Sequence, residues 1–546
     1  MPNTDIRYMI NGADEANSDR DLDINQTQVD GELLGVVIGV TKPGYITFEG
    51  KEPVGLGEYI TITNGQRKSI LGVVESCFIK SDALDEISNF EEALESKIIA
   101  EINKRDKSFK VNVKILGLQE MLKRSKSILP EIPPLPGTEV YRARREDLRD
   151  IFDSEEESWI KIGTLLRNTS VNVKVNTNKM TTRHLGILAM TGMGKSNLVS
   201  VIAKSIAQIP GTMVIFDYHD EYRFLKGENI NFVQARINPR LLTSDKFAEV
   251  IEIRENADIQ NTILLKAFEN DDLKMKTGDD FWDELEKNIG GIGFKEKRFS
   301  SSADRVIDKI KEARRRFDNI LIPDASDPVS QIREGCINII NLIEFTEKQA
   351  NVAIAFYLES ILYHRKLAKG QSLNANHINK NQILFHSPVI VVVEEAHVFM
   401  PKSENTDTKY IASKVAREGR KFGVGLIIVS QRPRTLDPNV LSQMGSLAIM
   451  KLVQQEDQSQ IESSSESING KIIEQLPSLN PGEALLVGQW VNLPSFIRID
   501  EILERTMGKD PEPVNEWKNT KEKKDLSVED SRLFIREEYI EEEYIE

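Results

Sequence analysis

Cysteine is nearly absent: the 546 residues hold two, Cys77 and Cys336, far apart and in no C-x-x-C pair. That spacing argues against a disulfide framework or a cysteine metal site, and free thiols packed as small buried hydrophobes are expected. Long apolar runs are absent too. None approaches the roughly 18–20 uncharged residues that span a bilayer. The opening segment MPNTDIRYMINGADEANSDRD is polar and acidic rather than signal-like, so a cytoplasmic protein with no membrane segment is expected. Positive charge is in deficit, with 71 Lys and Arg against 86 Asp and Glu and a net charge of −15. Part of the excess acid sits in the tail EEYIEEEYIE, but the body is acidic as well. Any contact with DNA must therefore come from a local basic strip, because charges beyond a Debye length of roughly 8–10 Å are largely screened. No fixed-period repeat is present.

What is present implies two to four domains, since a chain of this length exceeds one compact core. Residues 1–30 read as a flexible N-terminus. Over 31–140, short β-like runs (LGVVIGV, GYITF, EYITIT, SILGVVES, FKVNVKIL) are separated by Pro43-Gly44, Gly55/Gly57 and Asn64-Gly65, which predicts a small β-barrel. The helical segment ALDEISNFEEALESKIIAEINKR interrupts it, and LPEIPPLPG (129–137) reads as a stiff exit linker. Linker and strands follow over 141–180. From 181 the runs HLGILAM, TMVIFDY, VIVVVEE, GLIIVSQ, LAIMKL and EALLVGQ suit strands buried on both faces, as in a parallel sheet covered by helices. The long interval between the second and third of these reads as mostly helical. The expected α/β core is thus split into 181–240 and 376–500 around a helical insertion at 241–375, with an extended acidic tail over 501–546.

The stretch LGILAMTGMGKSNLV, Leu185–Val199, nearly matches the phosphate-loop pattern G-x-x-x-x-G-K-[ST], with Ala189 in place of the first glycine. A strand candidate precedes it and a helix candidate follows, the context in which backbone N–H groups and a helix N-terminus converge on phosphates. An alanine methyl fits that first position if φ is negative. Thr191, Gly192, Met193, Gly194, Lys195, Ser196 and Asn197 are the candidate nucleotide contacts, with Lys195 on the β/γ-phosphates and Ser196 on Mg²⁺. The run PVIVVVEEAHVFMP places two acids at a strand end: Glu394 on the magnesium side, and Glu395 as the base that orients the attacking water. His397 has no second ligand spaced with it and suits a structural or sensing role.

GVGLIIVSQRP ends in Ser430-Gln431, where Gln431 can sense the γ-phosphate from a neighbouring strand tip. Just before it, KYIASKVAREGRK carries five cations and one anion. Arg417 and Arg420, at i and i+3, share a helix face. A solvated basic face is one explanation. An arginine finger reaching a neighbouring subunit's nucleotide explains the pair better.

The blocks RHLGILAMTGMGKSN, VIFDYHDEY, VIVVVEEAHVFMP, AREGRKFGVGLIIVSQRP and DPNVLSQMGSLAIMKL together resemble the HerA family of the HerA–FtsK ATPases, and the N-terminal β region resembles that family's barrel. Ala189 departs from the family's usual glycine, and Met193 stands where a small residue is common. The resemblance implies a RecA-like P-loop ATPase core and a hexameric ring. It further implies ATP and Mg²⁺ between subunits and double-stranded DNA driven through the pore. By position it assigns phosphate and Mg²⁺ to Lys195 and Ser196, the acidic pair to Glu394 and Glu395, and the sensor to Gln431. The trans finger falls to Arg417 or Arg420, and a further arginine near the nucleotide to Arg183. Asp217 and its loop would lie near the site facing the pore, and Lys402 and Lys409 would contact the phosphate backbone without reading sequence.

Members of the family work with NurA-type nucleases in end resection, or in anti-phage defence with a sirtuin-like NADase or a separate nuclease. No effector domain is visible in this chain, so the resemblance implies an effector bound in trans on the barrel, with bacterial defence the preferred setting. Two functions stay open on sequence: an ATP-driven double-stranded DNA translocase that feeds or activates such an effector, and an ATP-gated ring scaffold that assembles and regulates one.

Overall fold

The computed structural model describes residues 31–502 except 65–67, 86, 103–105, 255, 371–383 and 465–469, together with 513–514 and 517. The expected flexible N-terminus and nearly all of the expected acidic tail lie outside the described residues.

Alternating burial builds the first unit. Strands β1 (Leu33–Lys42), β2 (Tyr45–Gly50), β3 (Tyr59–Asn64), β4 (Lys68–Ser81), β5 (Lys107–Leu118) and β6 (Glu139–Arg142) close into a barrel in the order β1-β2-β5-β4-β3-β6. In β2 and β5 the inward residues Ile46, Phe48, Val111, Val113 and Ile115 are buried and fill the interior with Val37, Ile60, Ile62, Ile70 and Val140. This is the period-two pattern of a strand with one face on the core. The proline-rich stretch 129–137 does not leave the barrel. The chain after it forms β6, which pairs with both β1 and β3 and shuts the cylinder. Four residues of strand are too short for periodicity to announce, and only the two unpaired edges of β1 and β3 call for them. The expected helical interruption is the helix Phe90–Ile102, between β4 and β5.

The remaining strands are β7 (Trp159–Leu165), β8 (Asn172–Asn176), β9 (Leu185–Leu188), β10 (Thr212–Asp217), β11 (Ile230–Gln234), β12 (Ile337–Asn341), β13 (Val389–Val393), β14 (Val424–Ser430), β15 (Ser446–Ile449), β16 (Glu483–Gly488) and β17 (Ser495–Ile499). They form one sheet in the order β11-β12-β10-β13-β14-β9-β15-β16-β17-β7-β8. From β11 to β15 every pairing is parallel, and from β15 to β8 every pairing is antiparallel. The parallel part is the expected RecA-like α/β core. Its strands β13 (VIVVV) and β14 (VGLIIVS) are buried at every position, each large aliphatic side chain contributing about 1.5–3 kcal/mol of burial.

Two features depart from the expected plan. EALLVGQ is a strand, but an antiparallel one, because β16 returns beside β15 and opens an antiparallel flank that also recruits β7 and β8 from before the phosphate loop. The interval 241–375 is not wholly a helical insertion. Helices Ser244–Val250, Asp258–Phe268, Asp271–Met275, Gly278–Lys295 and Ser300–Arg316 gather around Phe247, Ile263, Phe281, Trp282, Leu285 and Ile310. After them, however, β12 enters the sheet between β11 and β10, and the helix Glu347–Ala368 packs on the helix Asp407–Phe422. Cys77 and Cys336 are both free and only half-buried, so the expectation of buried thiols is corrected to partial burial.

Candidate functional site

The C-terminal ends of β9, β10, β13 and β14 converge, the place where open parallel sheets bind ligands. β9 leads through the loop Ala189–Gly194 into the helix Lys195–Gln208. Gly192 and Gly194 take φ of 78° and 102°, left-handed values at which a side chain would be strained. Ala189 is not among the described positive-φ residues. It is fully buried, and its N–H donates to the Ser430 carbonyl at 3.2 Å. The methyl therefore fits, and the departure from the glycine pattern leaves the loop intact. Lys195 Nζ lies 3.3 Å from the Met190 carbonyl and 3.5 Å from that of Ala189. Burial lowers its pKa, opposed by the carboxylates of Glu395, Glu394 and Glu221.

Strand β14 separates β13 from β9, so the acids and the loop are not on adjacent strands. Gln431, just past β14, spans the gap: its side chain accepts the Thr191 hydroxyl and donates through Nε2 to Glu395 at 3.2 Å. Glu395 adopts φ 46°, left-handed and strained for a non-glycine residue. Across that bend the two neighbouring acids meet different partners. Glu395 faces Gln431, with His397 Nδ1 at 3.1 Å and His219 Nε2 at 3.8 Å. Glu394 accepts the hydroxyl of the fully buried Tyr222. Burial raises the Glu394 carboxyl to about 8, with Tyr222 and Lys195 working in the other direction and Glu221 and Glu395 reinforcing it. His397 is held neutral, its pKa pushed down to about 4 by burial and then by Arg432, Lys195 and His219. It therefore makes no ion pair with Glu395.

Other expected residues are placed less favourably. Asn197 faces away from nucleotide chemistry: its amide donates to the Asp500 carbonyl at 2.8 Å and its oxygen accepts the Ile502 N–H at 3.1 Å, stapling the chain after β17 to the loop helix. Met193 packs partly buried against the core, and its carbonyl accepts the Gly482 N–H. Arg183 ends the helix Thr177–Arg183 and is half-buried, its carbonyl accepting the Gly445 N–H at 2.7 Å. Arg417 and Arg420 are exposed on the helix Asp407–Phe422, whose opposite face (Val415, Gly419, Phe422) is buried. Lys402 is exposed. Lys409 is not an available DNA contact: its ammonium donates to the carbonyls of Glu404 and Pro401 and pairs with Asp437 at 3.3 Å.

Sequence reasoning missed Glu221 and Tyr222. Asp217, at the end of β10, accepts both of their backbone N–H groups, at 2.9 and 3.0 Å. Glu221 then accepts the Ser196 hydroxyl. The signal was the three acids in DYHDEY, but which of them meets the loop depends on the turn after β10. The donor set suits magnesium. The Ser196 hydroxyl backed by the Glu221 carboxylate offers the oxygen donors that would suit a Mg²⁺ ion carried on phosphate oxygens.

A family model for the central domain of the helicase HerA matches residues 160–361. The DNA double-strand break repair helicase HerA of Sulfurisphaera tokodaii is 38% identical over 90% of this chain and 97% of its own. The chain belongs to the HerA family. The relative of the same name from Saccharolobus solfataricus is 36% identical over 91% of this chain and 97% of its own. Among solved structures, VirB4 of Thermoanaerobacter pseudethanolicus covers 65% of this chain and 99% of its own with a TM-score of 0.44 and 13% identity. Membership in the HerA family and the assembled loop and acids make the chain a P-loop ATPase.

Proposed function

We propose that the chain is an ATP- and Mg²⁺-dependent motor on double-stranded DNA, acting in the processing of DNA breaks as a ring of six subunits in the cytoplasm. The observation that carries the reading is the Thr191–Gln431–Glu395 bridge, which ties the phosphate loop to the proposed base within one subunit. Such a link lets one group respond to the γ-phosphate and to the attacking water together. ATP binds through Lys195, Ser196 and the backbone of Thr191–Gly194, and Glu395 orients water. Ser196 would hold Mg²⁺ from the protein side, and the ion would supply charge neutralisation on the phosphates. The exposed Arg417 or Arg420 completes a neighbour's site. The curated relatives are named for double-strand break repair, which favours break processing over anti-phage defence. For the partner we propose a nuclease seated on the barrel, whose helix Phe90–Ile102 presents Phe90, Leu94, Ile98 and Ile102 to solvent at helical spacing. Among the described residues no helix is long and apolar enough to cross a membrane.

The test is ATP hydrolysis by the purified full chain with and without linear duplex DNA, combined with displacement of streptavidin from biotinylated DNA ends. Duplex DNA should stimulate turnover several-fold, and Lys195→Ala should abolish both activities. Hydrolysis indifferent to DNA, with no displacement, would favour a ring scaffold and overturn the motor.

A further inference from the structure

Three carboxylates act electrostatically on Lys195: Glu395, Glu394 and Glu221. Glu395 faces the sensor amide, which leaves two acids for the magnesium side. By position in the chain that role falls to Glu394, the first acid after β13. The side-chain partners place it elsewhere.

Ser196 is the loop residue that would ligate the ion, and its hydroxyl donates to Glu221, not to Glu394. A hydroxyl that binds a cation does so through oxygen lone pairs and keeps its proton for an acceptor behind it. A carboxylate in that place strengthens the ligand and can also accept hydrogen bonds from waters on the ion. Glu221 stands in that place. Its position is fixed from the backbone: the two oxygens of Asp217 hold the N–H groups of Glu221 and Tyr222. Asp220, at φ 59°, turns the chain into that grip. Glu394, by contrast, is covered. It is 6% exposed and accepts the Tyr222 hydroxyl, while Tyr222 is itself fully buried. Two consecutive residues on one clamped turn thus divide the acids: Glu221 goes to the loop serine, and Tyr222 occupies Glu394.

We propose that Glu221 is the magnesium-positioning residue of this site, acting through the Ser196 hydroxyl, and that Glu394 does not serve the ion. The inference rests on the ATPase reading above and assigns a role within it.

The test measures binding of a fluorescent, non-hydrolysable ATP analogue to the full chain, titrated with Mg²⁺ and repeated in EDTA, for wild type, Glu221→Gln, Glu221→Ala and Glu394→Gln. Glu221→Ala should raise the Mg²⁺ concentration for half-maximal binding by about 10–100-fold, the usual effect of removing such an outer partner. Glu221→Gln, which can still accept the serine hydroxyl, should show a smaller rise. Neither should weaken binding in EDTA, where loss of a negative charge favours the phosphates. Glu394→Gln should leave the half-saturating Mg²⁺ within about twofold of wild type on the same argument. An unchanged Mg²⁺ response in Glu221→Ala, or the large shift appearing in Glu394→Gln, would overturn the proposal. So would an equal loss of affinity in EDTA for both Glu221 variants, which would make the residue part of the loop's scaffold. Failure of wild type to bind the analogue at all would instead remove the ATPase reading.

Discussion

The side-chain amide of Gln431 donates to the Glu395 carboxylate across 3.2 Å while its oxygen accepts the Thr191 hydroxyl. One residue past β14 therefore holds the proposed base and senses the loop. A movement of the loop around phosphate would be felt at Glu395 through two hydrogen bonds.

Glu395→Gln should lower kcat by about 10²–10⁴-fold, the range for a lost general base, with ATP affinity near wild type. Gln431→Ala should lower kcat by a smaller factor, again without weakening ATP, because the base remains but is no longer held. Steady-state hydrolysis and equilibrium nucleotide binding on the same preparations separate the two effects. An unchanged kcat in Gln431→Ala would show that the bridge is incidental.

Arg417 and Arg420 are exposed and point away from their own subunit's core. Replacing the true finger with Ala should leave ATP binding by the isolated subunit near normal and lower turnover of the assembled protein by about 10³-fold or more. Mixing that variant with Lys195→Ala subunits should restore part of the turnover, since one supplies the loop and the other the guanidinium. Mixtures that stay inactive would place the arginine in its own subunit's site.

His184, directly before β9, links β14 to the helix Asp407–Phe422: Nδ1 accepts the Leu426 N–H at 3.0 Å, and Nε2 lies 3.0 Å from the Ala416 carbonyl. Burial pushes its pKa down to about 4 from the usual 6.5. The unfolded chain therefore takes up a proton below pH 6.5 that the folded chain refuses until about pH 4. Its contribution to stability is complete above 6.5 and declines as pH falls through that window, by about 2–4 kcal/mol at the lower end. Thermal unfolding between pH 7 and 4.5 should show this slope, and His184→Gln should flatten it relative to wild type. Parallel slopes in the two proteins would contradict the assignment.

Lys409 and Lys402 should behave oppositely despite their closeness in sequence. Lys409→Ala strips the buried Asp437 of its cation and should lower stability by about 1–3 kcal/mol, read as a fall in Tm, with little change in DNA affinity. Lys402→Ala should leave Tm in place, weaken duplex DNA binding across sequences and reduce the salt dependence of that binding. A Tm loss confined to Lys402→Ala would reverse these placements.

Much of the site could be read from the sequence because its signals are local. Glycines at the turn, Lys195 and Ser196 after them, and continuous aliphatic runs in β10, β13 and β14 each sit within a few residues. Backbone conformation and two-sided burial impose those patterns directly. The same local logic located the barrel strands β1 to β5 but not β6, whose four residues matter only because two distant edges lack partners. The antiparallel flank and the entry of β12 into the sheet were likewise hidden, since strand order is a property of pairing between segments far apart in the chain. Side-chain roles split along the same line. Sequence named residue types suited to binding phosphate and moving protons. Only the folded chain decided that Lys409 turns inward to Asp437, that Asn197 staples the end of the sheet, and that Ser196 meets Glu221 while Tyr222 covers Glu394. A partner within hydrogen-bond reach is fixed by where remote backbone segments cross, and nothing in the spacing of a single motif encodes that crossing.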